Sequence, residues 1–215
     1  MSKLKRAEPK IPAELKHSLF EEALDDHYIT NCKIQHESIE FEPSGALHID
    51  TVVFENVNFV GIAWPRSEFV DVVFINCDLS NADFSRCVFH RAEFRNSKLM
   101  GTNFAEAGVR HTLFIDSVLN YATFGFSLWT FTQFESCSLR QADFYEAELK
   151  ETRFTGCDLE ETSFAETDLN GIDFSTNRFE RIQVTVEKLA GCTVSPNQAM
   201  AFARQLGMII NEGEF

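Results

Sequence analysis

Every fifth residue from Ile49 to Leu189 is a large apolar side chain. The series opens Ile49, Phe54, Phe59, Trp64, Phe69, Phe74, Leu79, Phe84 and runs without a slip to Phe174, Phe179, Val184 and Leu189. A second column sits two residues earlier and is small: Cys77, Ala82, Cys87, Ala92, Ser97 and Thr102 lead on to Cys157, Thr162 and Thr167. The residue between the columns is often acidic or an amide, as in Asn81-Ala82-Asp83-Phe84, and the other two positions are mostly polar. A period of five fits neither the 3.6-residue helix nor the two-residue strand. A chain that turns a corner every five residues does fit. The large and small residues then point inward and the rest reach solvent, and four such corners close a square coil of about 20 residues. Coils of this kind stack at the strand spacing of about 4.8 Å. The pattern therefore predicts an all-β solenoid, a parallel β-helix, over residues 49–193, with about seven coils and a length of roughly 34 Å.

The ends depart from the repeat. The apolar register continues weakly upstream through Leu19, Leu24, Ile29, Ile34 and Ile39 and fails at Ser44, so residues 19–48 are expected to form an irregular N-terminal capping coil. Residues 1–18 read as a flexible arm with little to bury. A solenoid must also hide its last hydrophobic layer. Ser195-Pro196-Asn197-Gln198 is a capping box with Pro at the first helical position. A short capping α-helix is expected from Gln198 to Leu206, with Met200, Phe202, Ala203 and Leu206 buried and Gly207 as the stop. Met208, Ile209 and Ile210 lie beyond that stop. Residues 194–215 are thus expected to cap the rod and, through Phe202, Leu206, Met208, Ile209 and Ile210, to pair with a second copy of the chain.

Composition sharpens this picture. The 215 residues carry 33 acids against 19 bases, a formal net charge of −14. Phosphate contacts need Lys and Arg, so direct nucleic-acid binding is not expected. No apolar run nears the roughly 20 residues that span a bilayer, and the start, Met1-Ser2-Lys3-Leu4-Lys5-Arg6, lacks a signal-peptide core. A cytoplasmic, non-membrane protein is the expectation. Sixteen of the 22 Phe residues stand in the large inward column. Cys32, Cys77, Cys87, Cys137, Cys157 and Cys192 all share the phase of the small column, and none forms a Cys-x-x-Cys pair, which excludes zinc and thioredoxin readings. No Gly-rich phosphate loop, nucleophile elbow or helical His pair appears. The chain is not read as an enzyme, and no cofactor or metal is expected.

The repeat maps the outside, because residues 20 apart stack vertically. His90 falls under Arg110 and Arg91 under His111, a compact basic square on an acidic rod. It reads either as a docking point for an acidic group or as scattered surface charge. Leu113, Ile115, Val118, Tyr121, Phe126, Leu128 and Phe131 take outward positions of one coil. They form an interaction belt, or they cover their own coil. Residues 143–168 hold Asp143, Glu146, Glu148, Glu151, Asp158, Glu160, Glu161, Glu166 and Asp168 against Lys150 and Arg153. Carboxylates spaced along a stiff rod imitate a duplex and attract a basic DNA-binding groove, or they keep a solenoid soluble.

Asn81-Ala82-Asp83-Phe84, Gln141-Ala142-Asp143-Phe144 and Cys157-Asp158-Leu159 resemble the signature of the pentapeptide-repeat family, whose fold is a right-handed quadrilateral parallel β-helix. The C-terminal run Phe174-Ser175-Thr176-Asn177-Arg178-Phe179, then Leu189-Ala190-Gly191, Val194-Ser195-Pro196-Asn197-Gln198-Ala199 and Leu206-Gly207-Met208-Ile209-Ile210, resembles the end of Qnr-type members from Gram-positive bacteria. That resemblance implies a homodimer joined through the C-terminal ends, binding to DNA gyrase and topoisomerase IV by DNA mimicry, and protection from fluoroquinolones. Some members carry projecting loops that matter for protection. Here the unbroken register from Ile49 to Leu189 leaves no inserted loop, which shifts weight to the faces of the rod. A protein-interaction scaffold with another partner is the alternative.

Overall fold

The computed structural model describes residues 6–211. Residues 1–5 of the expected arm and 212–215 of the expected tail lie outside that range. β1 (Lys16–His17) and a one-turn helix α1 (Phe20–Ala23) precede the regular coils. β2 (Tyr28–Gln35), β3 (His48–Glu55), β4 (Glu68–Ile75) and β5 (Val88–Arg95) follow. Farther along, each strand splits in two, giving β6 (Gly108–Arg110) with β7 (Leu113–Ile115), β8 (Leu128–Thr130) with β9 (Gln133–Glu135), and β10 (Glu148–Lys150) with β11 (Arg153–Thr155). β12 (Ser163–Phe164) pairs β13 (Gln183–Val184). From β2 onward every pairing is parallel and joins residues one coil apart, as in Ile49↔Phe69, Phe69↔Phe89 and Phe94↔Phe114. That 20-residue offset is the square coil read from the sequence, and about eight such coils stack.

In the coil that begins at Ser67, face one carries Phe69, face two Phe74, face three Leu79 and face four Phe84. Strands occupy faces one and two, while faces three and four are held mostly by single bridges such as Asn58↔Asp78 and Asp83↔Asn103, with β12 and β13 a short strand pair on face four. The corners explain the difference. Every corner residue from Thr51 to Gly171 has a positive φ. Between faces three and four the Ala82 amide donates to the Leu79 carbonyl at 3.1 Å, and between faces four and one Cys87 donates to Phe84 at 3.2 Å. These are type II turns, which need φ > 0 at their third residue. At the corner between faces one and two β2 to β5 run on through the bend, whereas in the last coils that corner closes in the same way, the Ile172 amide donating to the Leu169 carbonyl at 3.1 Å.

The core is the two inward columns. The large column is buried except at Leu149, Val184 and Leu189, which are partly buried. The small column is buried from Val52 to Ile182. Rings one coil apart stack nearly parallel: Phe74 on Phe94 at 4.7 Å, Phe94 on Phe114 at 4.6 Å, Phe124 on Phe144 at 4.4 Å. Thr102, Thr162 and Thr167 return their hydroxyls to carbonyls of the coil before, whereas the hydroxyls of Thr132 and Thr152 are buried with no hydrogen-bond partner among the described residues. Burial lifts the Cys77 thiol to about 11 and Cys87 to about 12, consistent with cysteines acting as small hydrophobes.

Both ends correct the sequence reading in detail. Ser44 supplies no large side chain beneath Trp64. Phe20 fills that slot instead, stacked on Trp64 at 5.6 Å and flanked by Phe41, whose carbonyl accepts from the Trp64 indole N–H. Leu19, one residue off that slot, is exposed. At the other end α2 (Pro196–Gln205) carries the expected capping box between Ser195 and Gln198. Leu206 is exposed rather than buried, Met200, Phe202 and Ala203 are half-buried, and Gln198 is the residue of α2 that is fully buried. Its amide donates to the carbonyls of Phe174 and Asn177 and so docks the helix on the last coil.

Residues 6–18 do not hang free. Arg6 reaches Glu93 at 2.9 Å, the Ala7 amide donates to His111 Nδ1 at 3.2 Å, and the Lys10 amide donates to Asp71 at 2.9 Å. β1 then pairs with β2, Lys16 opposite Cys32. The segment is a strap laid along the rod across several coils. A pattern of five could not reveal it, because the strap's partners are outward positions of other coils.

Candidate interaction face

Face one and its two flanking corners gather most of the surface residues singled out in the sequence. From the N-terminal end upward, face one presents Glu68 and Val70, Val88 and His90, Gly108 and Arg110, Leu128 and Thr130, Glu148 and Lys150, Asp168 and Asn170. The corner toward face four adds Phe126, Glu146 and Glu166. The corner toward face two adds Asp71, Arg91, His111, Phe131 and Glu151. The face therefore runs from a lower end of mixed charge through an apolar middle to an acidic upper end.

The basic square is assembled as the register demands, with His90 opposite Arg110. It is not free for a partner. Arg91 is held by Asp71 through two hydrogen bonds, at 2.6 and 2.7 Å. Its remaining nitrogen lies 3.0–3.2 Å from the His90 ring nitrogens. The Nδ1 of His111 is taken by the strap. Burial, then neighbouring Arg110 and Arg91, push both histidines below their ordinary range. Asp71 is held low as well: burial alone would raise it, and the bonds from Arg91 and the Lys10 amide outweigh that. Arg110 is the exposed cation of the square.

The apolar belt divides. Leu113 is buried, not exposed, and Ile115 is half-buried on face two. Tyr121 is 56% exposed on the corner between faces three and four, away from the rest. Phe126 is 59% exposed and meets Tyr145 edge-on at 5.5 Å, with Leu128 beside it. Phe131 stacks on His111 at 5.0 Å. Tyr121, Phe126 and Phe131 all occupy corner positions, with φ of 63°, 59° and 53°. Left-handed backbone costs an L-residue roughly 1–2 kcal/mol, and a bulky side chain there is an outlier. Tyr121 and Phe126 are exposed at such sites, while Phe131 is half-buried against His111.

The acidic stretch also divides, and the sequence did not show where. Asp158, Glu160 and Glu161 stand on face three and its edge. Arg140 and Arg178 bind Asp158 at 3.1 and 2.6 Å, and Arg181 binds Glu160 and Glu161. Asp158 and Glu160 are held below the carboxylate range, their burial outweighed by bonds from these arginines and from backbone amides. Glu146, Glu148, Glu151, Glu166 and Asp168 are exposed and share face one with its corners. Lys150 answers Glu148 at 2.7 Å. Tyr145 donates its hydroxyl to Glu146, which keeps the phenol above its usual range. Asp143 is half-buried on face four and accepts from the Tyr145 amide. The open acids thus begin just above Phe126 and Leu128.

The C-terminal end carries the last group. Phe202 packs against Phe179 at 5.7 Å and belongs to the cap itself. Leu206, Met208 and Ile209 are 52%, 58% and 98% exposed, and Ile210 is half-buried. Leu206 borders a groove of about 420 Å³ lined also by Ile182, Val184, Val186, Leu189 and Phe202. No helix among the described residues is long and apolar enough to cross a membrane.

Comparison with known proteins places this geometry among others. A family model described as a pentapeptide repeat region matches residues 47–124 and 127–200. A solved structure of trypsin-treated QnrB1, described as a plasmid-mediated fluoroquinolone resistance protein, is 19% identical. The match covers 83% of this chain and 98% of that one, with a TM-score of 0.50. At that identity the likeness is one of fold. HetL, described as a pentapeptide repeat protein involved in heterocyst differentiation regulation in the cyanobacterium Nostoc, is 14% identical over 78% of this chain and 85% of that one, TM-score 0.42. A protein of Bacillus subtilis (strain 168), "Uncharacterized protein YisX", is 52% identical over 33 residues, 15% of this chain and 16% of that relative's length.

Proposed function

The chain belongs to the pentapeptide-repeat family, and on that premise we propose that it is a non-enzymatic, DNA-mimicking protein that binds DNA gyrase and topoisomerase IV in the cytoplasm and protects them from fluoroquinolones. The observation that carries this reading is the set of exposed carboxylates on one face, Glu146, Glu148, Glu151, Glu166 and Asp168. They lie on a stiff parallel stack whose coil spacing of about 4.8 Å fixes their rise. A basic groove that accepts a duplex is attracted to such an array, and its on-rate falls as salt rises. The exposed Leu206, Met208 and Ile209 beside the C-terminal groove support a homodimer that doubles the rod. The description of QnrB1 as a fluoroquinolone resistance protein supplies the drug class.

The test is DNA supercoiling by purified gyrase with and without ciprofloxacin. The protein inhibits or rescues supercoiling. The combined change Glu146→Gln, Glu148→Gln, Glu166→Gln and Asp168→Asn removes that effect, while Asp158→Asn with Glu160→Gln leaves it. If the protein neither inhibits nor rescues supercoiling and binds neither gyrase subunit, the reading fails.

A second reading rests on the exposed aromatics at left-handed corners. Phe126 and Tyr121 suit a scaffold that docks a different protein through apolar contact. Under that reading Phe126→Ala abolishes partner capture and the acid-to-amide changes do not.

A further inference from the structure

The outward positions of face two stack as Val53, Val73, Glu93, Leu113, Gln133, Arg153. The first four are 9%, 6%, 1% and 9% exposed. Gln133 is half-buried and Arg153 exposed. Nothing in the repeat distinguishes these positions. What changes is the strap, which meets Glu93 through Arg6, His111 through Ala7, Asp71 through Lys10 and β2 through Lys16. Burial of the row stops where the strap stops.

The strap has no regular structure of its own between Arg6 and Leu15. Pro9 and Pro12 hold it extended and remove two amide donors. Its anchors along these coils are an ion pair and two amide hydrogen bonds. The groove beneath stays complete when it leaves. Asp71 keeps both bonds from Arg91, and Glu93 keeps Arg95. No buried carboxylate would be stranded, so the usual penalty for breaking a buried ion pair is avoided.

From these observations we infer that face two between Val53 and Leu113 is a docking groove for an extended segment of another protein, one that bears an arginine followed by aliphatic or proline residues, and that residues 6–15 occupy it in cis. Glu93 is the specificity point, because it presents a carboxylate among Val53, Val73 and Leu113. The tether sets a high local concentration of strap, so an outside segment enters only when it binds more tightly or the strap's anchor is weakened. This surface is distinct from the acidic face proposed for topoisomerases, and neither reading depends on the other.

The test uses the full chain and a fluorescent peptide copying residues 6–18 as the probe. The peptide binds the Arg6→Glu chain at least tenfold more tightly than wild type, by anisotropy, and adding Glu93→Gln to that chain returns binding to the wild-type level. Peptide bound by neither chain, bound equally by both, or indifferent to Glu93→Gln overturns the proposal. So does a doubling in mass that the Arg6→Glu chain shows and wild type, with its own C-terminal pairing, does not show at the same concentration, because the groove would then take the strap of a second copy. If the Arg6→Glu chain does not fold, hydrogen exchange on wild type decides. The Ala7 and Lys10 amides exchange at least a hundredfold faster than those of β4; protection equal to β4 overturns the proposal.

Discussion

The lower and upper halves of face one and its corner toward face two use carboxylates in opposite ways. Asp71 and Glu151 hold the same corner, four coils apart. Asp71 is 5% exposed, bonded to Arg91 and to the strap, and cannot meet a partner. Glu151 is exposed beside Glu148 and Glu146. Glu93 and Arg153 likewise share one row, the first buried under Arg6 and the second exposed to solvent. The repeat decides which way a side chain points. Whether that direction leads to water is decided by a segment that is not part of the repeat.

The largest expected effect asks whether the halves differ inside as well. Phe94→Ala in the lower half and Phe144→Ala in the upper each open a cavity in a continuous ring stack, and each costs about 3–5 kcal/mol in chemical denaturation. Equal losses confine the contrast to the surface. Cys137→Ala costs far less, since Ala already serves at Ala82 and Ala142; a cysteine change more damaging than Phe144→Ala would contradict the inward columns.

Next in size is a pair of outward leucines. Leu113→Ala costs about 2 kcal/mol, because the strapped coil buries it. Leu128→Ala, 42% exposed one row away, costs less than about 0.5 kcal/mol. Equal costs would mean that strap cover contributes nothing to Leu113. Smaller again is Phe126→Gly. It relieves a bulky residue at φ 59° and raises stability by about 1 kcal/mol in thermal unfolding, while weakening capture of any partner that uses the belt.

These contrasts mark what the chain reveals when read alone. The coil, its 20-residue register, the inward columns and the Ser195–Gln198 capping box were legible because each is a local or strictly periodic consequence of side-chain size. The occupants of face one were legible too, since vertical neighbours follow from the period. Their state was not. Arg91 looks free only when the square is taken alone, for the 20-residue stacking already sets Asp71 beneath it. Asp158, Glu160 and Glu161 looked open because Arg178 and Arg181 lie outside residues 143–168. Leu113 looked exposed because the strap covering its row comes from the first dozen residues. The positive φ at every corner had a faint signal, in Asn56, Asn76, Asn81, Asn96 and Gly101 on one phase, masked by Glu, Phe and Tyr on the same phase.

The smallest effect separates the two halves by pH. His111 Nδ1 can accept the Ala7 N–H only while that nitrogen is unprotonated. The groups facing His111 are Arg110, His90, Arg91 and Arg6, with Phe131 on its ring, and burial with these cations holds its folded value below the unfolded value of about 6.5. A depressed histidine contributes stability that is complete above the unfolded value and is lost as pH falls from there through the folded value. Asp71 is a carboxylate held low, so its contribution is complete above about 3.9 and disappears only as pH falls below that. Between these windows the strap loses its upper anchor and keeps its lower one. Hydrogen exchange at pH 7.5 and 5.5, corrected for intrinsic rates, should show protection falling at Ala7, holding at Lys10, and unchanged in β10 and β11. His111→Asn should flatten the Ala7 response. Protection at Ala7 that is the same at both pH values would remove His111 as the acceptor and leave the ion pair of Arg6 with Glu93 as the strap's upper anchor.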